Sequence, residues 1–113
     1  MTRYGIKDEE WGLLQEVLAR FPHIERAVLF GSRAKGTSKP FSDVDIALVG
    51  QGVTLDDVLG LKDEVDDLLL PYEFDFCIYD RLRNADLCDH ITRCGVEIYP
   101  TFGIPFSSQS QGI

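Results

Sequence analysis

The sequence lacks any apolar run approaching the roughly 20 residues needed to span a bilayer, and Met1 to Glu10 is too polar to read as a signal peptide. Positive charge is also scarce. Eleven Lys and Arg stand against 19 Asp and Glu, for a net charge of −8. That balance excludes a broad nucleic-acid surface, which needs clustered cations, so no direct nucleic-acid contact is expected. Excess acid suits a basic partner or a bound metal ion. The three cysteines, Cys77, Cys88 and Cys94, are odd in number and lack zinc-type spacing. They read as small buried hydrophobes in a reducing, cytoplasmic setting. His23 and His90 are isolated, each a surface or internally satisfied histidine. No internal repeat or linker is visible.

What is present is one domain of 113 residues, 44% apolar. Asp8 is the expected N-cap of a helix carrying Trp11, Leu14 and Leu18 at three- and four-residue spacing, ended by Phe21-Pro22. Arg26 to Phe30 and Asp43 to Val49 read as strands joined by a loop short enough for antiparallel pairing. Gly50-Gln51-Gly52 breaks the second strand. Thr54 then caps a helix, with Asp57 completing a capping box and Val58, Leu61, Val65 and Leu68 on the buried stripe. Asp56, Asp63, Asp66 and Asp67 fall off that stripe, on a solvated face. Pro71 stops the helix. Glu73 to Tyr79 reads as a third strand, with Phe74, Phe76 and Ile78 on its core face. A third helix runs from about Asn84 to Cys94, with Leu87, Cys88 and Ile91 inward and Gly95 as its stop. Val96 to Tyr99 is a short last strand. The order predicts an α/β protein with a small mixed sheet flanked by helices. The domain is expected to span residues 1–99, with 100–113 a flexible C-terminal tail on which Phe102 and Phe106 tack to the surface.

The chemistry concentrates between Val28 and Val49. An apolar strand stops abruptly at Gly31-Ser32, and a loop of small and basic residues leads to Asp43-Val44-Asp45. Side chains alternate along a strand, so Asp43 and Asp45 share one face while Val44, Ile46 and Leu48 share the other. Paired carboxylates are poor core material and good ligands for Mg²⁺, which needs one or two of them plus phosphate oxygens. Gly31 permits close backbone approach, and a helical turn beginning at Ser32 would aim N–H groups at a phosphate. Arg33 and Lys35 offer positive charge there, or are ordinary solvated loop charges. Asp75, on a neighbouring strand, would complete a three-carboxylate cluster suited to two-metal phosphoryl or nucleotidyl transfer. Glu73 and Asp80 are the alternatives for that third position.

Gly31-Ser32, ten intervening residues and Asp43-Val44-Asp45 resemble the signature of the DNA polymerase β-like nucleotidyltransferase superfamily. The chain length and the ending Ile91-Thr-Arg-Cys-Gly-Val-Glu-Ile-Tyr99 resemble its minimal, MNT-type branch. The resemblance runs from the first helix to about Tyr99. It implies the fold of that superfamily, magnesium on Asp43, Asp45 and Asp75, and nucleotide phosphates at Gly31 and Ser32. It also implies transfer of a nucleoside monophosphate, here AMP from ATP, with pyrophosphate leaving. Many minimal members are antitoxins that adenylylate a tyrosine of a HEPN-domain ribonuclease toxin, so such a toxin is the expected partner. Two other readings stay open. One is a small-molecule adenylyltransferase of the aminoglycoside-modifying kind. The other is a non-catalytic toxin-binding protein with a vestigial metal site.

Overall fold

In a computed structural model, the chain is described over residues 2–36 and 43–106. It opens with a feature the sequence reading did not anticipate, a hairpin of β1 (Thr2–Arg3) and β2 (Ile6–Lys7). Tyr4 and Gly5 both take positive φ, 56° and 79°, the backbone that a two-residue hairpin turn demands. The hairpin drops Ile6 into the core and offers the Arg3 carbonyl to the Trp11 indole N–H at 3.0 Å.

Helix α1 (Asp8–Leu18) starts one residue earlier than expected. Lys7 holds the N-cap position with extended backbone, and its N–H is met by Glu10 Oε1 at 3.1 Å. Asp8 therefore enters the first turn, where a carboxylate favours the helix dipole, and pairs with Arg3. Trp11, Leu14, Val17 and Leu18 are buried. Strand β3 (Arg26–Phe30) runs into the short helix α2 (Gly31–Lys35). Strand β4 (Val44–Val49) pairs antiparallel with β3, as the sequence predicts, with Phe30 opposite Asp45. Helix α3 (Leu55–Asp66) has the predicted capping box. The Asp57 N–H donates to Thr54 Oγ1 at 3.2 Å, and the Thr54 N–H donates to Asp57 Oδ2 at 3.0 Å. It ends well before Pro71, in a turn where Leu69 takes a φ of 56°.

Strand β5 (Phe74–Ile78) lies parallel to β4, with Asp75 beside Asp45. A 3₁₀ turn over Tyr79–Arg81 then leads to α4 (Ala85–Cys94), capped by Asn84 Oδ1 on the Leu87 N–H. Strand β6 (Val96–Tyr99) pairs antiparallel with β3. The chain past Tyr99 departs from the expected loose tail. Strand β7 (Ile104–Pro105) extends the sheet beside β6, Phe102 packs edge-on to Trp11 at 5.0 Å, and Phe106 is 7% exposed. Two aromatics with waiting pockets order a segment that has no periodicity of its own. Residues 107–113 and 37–42 lie outside the described residues.

The five-stranded sheet has the order β5-β4-β3-β6-β7 and is covered unequally. Leu29, Ile46, Leu48 and Ile98 face a large core with α1, α3 and the hairpin. Val28, Ala47, Ile91 and Phe106 form a much smaller core under α4. The buried charged side chains among the described residues are Arg33 and Glu97, and Glu97 Oε1 finds no hydrogen-bond partner there. No described helix is long and apolar enough to cross a membrane. Because Phe106 closes the smaller core, Phe106→Ala should cost about 3 kcal/mol, read by urea unfolding. A loss under about 0.5 kcal/mol, the range of ordinary surface substitutions, would return this segment to the status of a loose tail.

Candidate active site

The site begins where β3 turns into α2 without a connecting loop. Phe30 keeps extended backbone, and Gly31 follows at a φ of 78° as the first helical residue, so the helical turn opens one residue before Ser32. Two constraints meet at Gly31. Its φ lies in the left-handed region open to glycine. A Cβ there would also run into Asp45 Oδ2. The Asp45 carboxylate therefore lies against the bare Gly31 Cα, held by the β3–β4 register.

The neighbouring ladder adds the other carboxylates. Asp75 is the parallel partner of Asp45 on β5, with strands about 4.8 Å apart and side chains on one face. Asp43 precedes β4 on that same face, exposed. All three lie on the thinly covered α4 side of the sheet. Burial raises the Asp45 carboxyl above its ordinary value, and the charges of Asp75 and Asp43 raise it further, against a smaller lowering by His90. The structure thus brings Asp43, Asp45 and Asp75 into electrostatic contact. No three His, Cys, Asp or Glu side chains among the described residues form a ready-made metal cage. The donor set is one of hard oxygens, with one carboxylate that is costly to ionise unaided. It fits Mg²⁺ completed by phosphate oxygens and water.

His90, read from sequence as isolated, sits inside this site. Its Nε2 accepts the Gly31 N–H at 3.0 Å, and its ring stands edge-on to Phe30. The partners are 59 positions apart, and the packing of α4 against α2 and β3 joins them. Arg33 departs from the expected position in the opposite sense. Two residues on from Gly31, it lies about 200° round the helix. It is 2% exposed, donates to the Tyr4 carbonyl at 2.8 Å and lies over the Tyr72 ring. Its guanidinium anchors the hairpin. Lys35, four residues on, returns to the Gly31 side of α2 and is exposed; Ser32 is half-buried. Burial, Asp75 and Asp45 together push the Cys77 thiol up to about 11, so it stays protonated and is no nucleophile.

The site is thus a strand–glycine–helix turn set against paired carboxylates, an arrangement that suits nucleotidyl transfer. The family model described as Polymerase beta, Nucleotidyltransferase matches residues 13–101, and the chain belongs to that family. Solved structures share the fold. A chain of a toxin–antitoxin crystal structure with AMP-PNP superposes with a TM-score of 0.66 at 21% identity, over 90% of this chain and 87% of that one. A chain of the MntA–HepT toxin–antitoxin gives 0.61 at 18%, over 94% and 88%. A chain of the tri-AMPylated Shewanella oneidensis HEPN toxin in complex with MNT antitoxin gives 0.62 at 17%, over 92% and 76%. No curated protein matches the sequence.

Asp45 supplies a test with a definite sign. Its pKa in the folded state lies above the 3.8 of the free group, so between those values the native state holds more protons than the unfolded one. Stability then falls as pH rises through that window. In EDTA, Asp45→Asn should match wild type below about pH 3.8. It should melt higher from there to neutrality, by at most about 1 kcal/mol after solvent screening. Thermal melts across pH check this, and a variant that melts lower than wild type at pH 7 contradicts it.

Proposed function

We propose that this chain is a magnesium-dependent adenylyltransferase that moves AMP from ATP to a hydroxyl of a partner HEPN-domain protein, as an antitoxin acting on its toxin. The observation that carries the reading is the seating of Asp45 against Gly31, with Asp43 and Asp75 at its side. The similarity to chains of a complex with AMP-PNP and of a complex with an AMPylated HEPN toxin supports the choice of nucleotide and acceptor. The proposed setting is the reducing cytoplasm, where the three free cysteines remain thiols.

In this reading Asp43 and Asp45 would hold Mg²⁺, with Asp75 completing the set. When bound, the ion neutralises charge on the triphosphate and on the departing pyrophosphate. The Gly31 N–H is used by His90, and the phosphates would lie along that side of α2, where Lys35 is exposed. The acceptor oxygen attacks the α-phosphorus, the bond to the pyrophosphate oxygen breaks, and the hydroxyl proton passes to Asp75. Asp75 suits that step because it is the exposed member of the β4–β5 pair, open to an incoming chain.

α-³²P-labelled ATP, Mg²⁺ and the HEPN-domain protein test this directly. Label should appear on the HEPN-domain protein and vanish in EDTA. Asp43→Asn should abolish it, and Asp75→Asn should slow it by about 100-fold or more, the usual contribution of a general base. Transfer at near wild-type rate by either variant removes the assigned roles.

A further inference from the structure

The sheet edge that carries Asp75 is open. Strand β5 pairs only with β4 among the described residues. The Val44 N–H donates to the Glu73 carbonyl at 2.8 Å. In a parallel ladder that pattern turns the backbone groups of Glu73, Asp75 and Cys77 toward β4, and those of Phe74, Phe76 and Ile78 outward. Lys62 Nζ already covers the outward carbonyl of Phe74. The half from Phe76 to Ile78 instead lines a cleft of about 260 Å³, walled by Leu55 and Val58 of α3 and by Arg81 and Leu82. Leu55 and Leu59, one helical turn apart, are 60% and 55% exposed beside it. Unpaired edge groups next to exposed apolar side chains form a template for another chain.

We infer that this cleft receives the acceptor as an extended segment, added as a sixth strand along β5, with its hydroxyl-bearing residue opposite Asp75. The inference rests on the proposed function and specifies how the acceptor is held. A strand paired to the outward groups of Phe76 and to the Phe74 N–H, the Phe74 carbonyl staying with Lys62 Nζ, places the residue facing Asp75 in a close, non-hydrogen-bonded position when antiparallel. Its Cα then lies about 4.5 Å from that of Asp75 and its side chain on the same face. The hydroxyl is thereby delivered to the carboxylates, and the residues on either side of it point to the other face, against Leu55, Val58 and Phe76.

Charge selects the occupant. Asp75 on β5, Glu73 just before it, and Asp56 and Asp80 next in sequence to the lining residues Leu55 and Arg81, are exposed, against the cations Arg81 and Lys62, on a chain of net charge −8. A second copy of this chain would set those carboxylates against themselves. The last described strand, β7, lies at the opposite edge of the sheet. The fitting segment is a partner's, with apolar residues flanking the hydroxyl and basic residues beyond them.

A fluorescein-tagged peptide, Lys-Lys-Val-Tyr-Val-Lys-Lys, tests docking by anisotropy, apart from chemistry. Wild type should bind it. N-methylation of both Val amides leaves every side chain and charge in place and should weaken binding by about tenfold, the worth of one to two hydrogen bonds. Leu55→Lys, at an exposed position, should weaken it about as much by replacing an apolar contact with a like charge. In parallel, α-³²P-ATP with Mg²⁺ should label the peptide's tyrosine. Equal binding of the methylated peptide, or no binding by wild type, overturns strand addition. Binding with the expected losses but no label on the peptide or on the HEPN-domain protein upholds the cleft as a docking edge and defeats the transfer reading instead.

Discussion

The structure depends on a side chain that is missing. With no Cβ at Gly31, β3 can turn straight into α2 while Asp45 on the adjoining strand lays its carboxylate across the bare Cα. Every other part of the site is referred to that contact. The parallel β4–β5 register sets Asp75 beside Asp45. His90 reaches over from α4 to hold the Gly31 N–H. Arg33, from the far side of α2, locks the helix to the N-terminal hairpin. A one-residue slip of β4 would turn Asp43 and Asp45 into the α1–α3 core and bring Val44 and Ile46 to the surface. The apolar residues between the aspartates therefore fix the register of the site by being buried themselves.

Unequal covering of the sheet explains why the carboxylates stand where they do. The α1–α3 face buries a continuous core from Ile6 through Ile98 and has no room for ionised groups. The α4 face carries a smaller cluster, set back toward Val28, Ile91 and Phe106. Its other end is open to water at Asp43 and Asp75. Asp45 stands at the boundary, dry enough to feel burial and close enough to its neighbours to feel their charge.

Most of this frame was legible in the sequence because its signals are local. The Thr54–Asp57 box, the Gly95 stop after the third helix and the alternation of Val44, Ile46 and Leu48 each fix an element within a few residues. The parts that were not legible depend on distant partners. The hairpin consists of two-residue strands around Tyr4-Gly5, without the Asn-Gly or Asp-Gly that marks such turns. Arg33 stands in a basic loop motif and reads as a phosphate ligand or a solvated charge, whereas the Tyr4 carbonyl and the Tyr72 ring hold it buried. Phe102 and Phe106 have no pattern around them, and their ordering is visible only once Trp11 and Tyr79 are in place to receive them. His90 belongs to a helix whose sequence advertises packing, and its contact with Gly31 arises from topology.

The electrostatics also decide what order of binding the site can support. Two carboxylates about 5 Å apart repel by about 3 kcal/mol at an effective dielectric of 20. A bare triphosphate brought to Asp43, Asp45 and Asp75 adds several repulsions of that size. Against them stand the backbone amides of a five-residue helix and the Lys35 charge, at about 1.5–3 kcal/mol for each hydrogen bond to a charged group. The amides alone lose that contest, the more so on a chain of net charge −8. A divalent cation reverses the sign of every carboxylate contribution at once, turning repelled neighbours into ligands. Under the proposed reading, nucleotide and cation therefore bind as one unit, and the acidic surround that rejects free nucleotide is what draws a basic acceptor segment to the β5 edge. Solvent screens this selection within about 8 Å at physiological salt, so it acts on groups that have already reached the sheet edge.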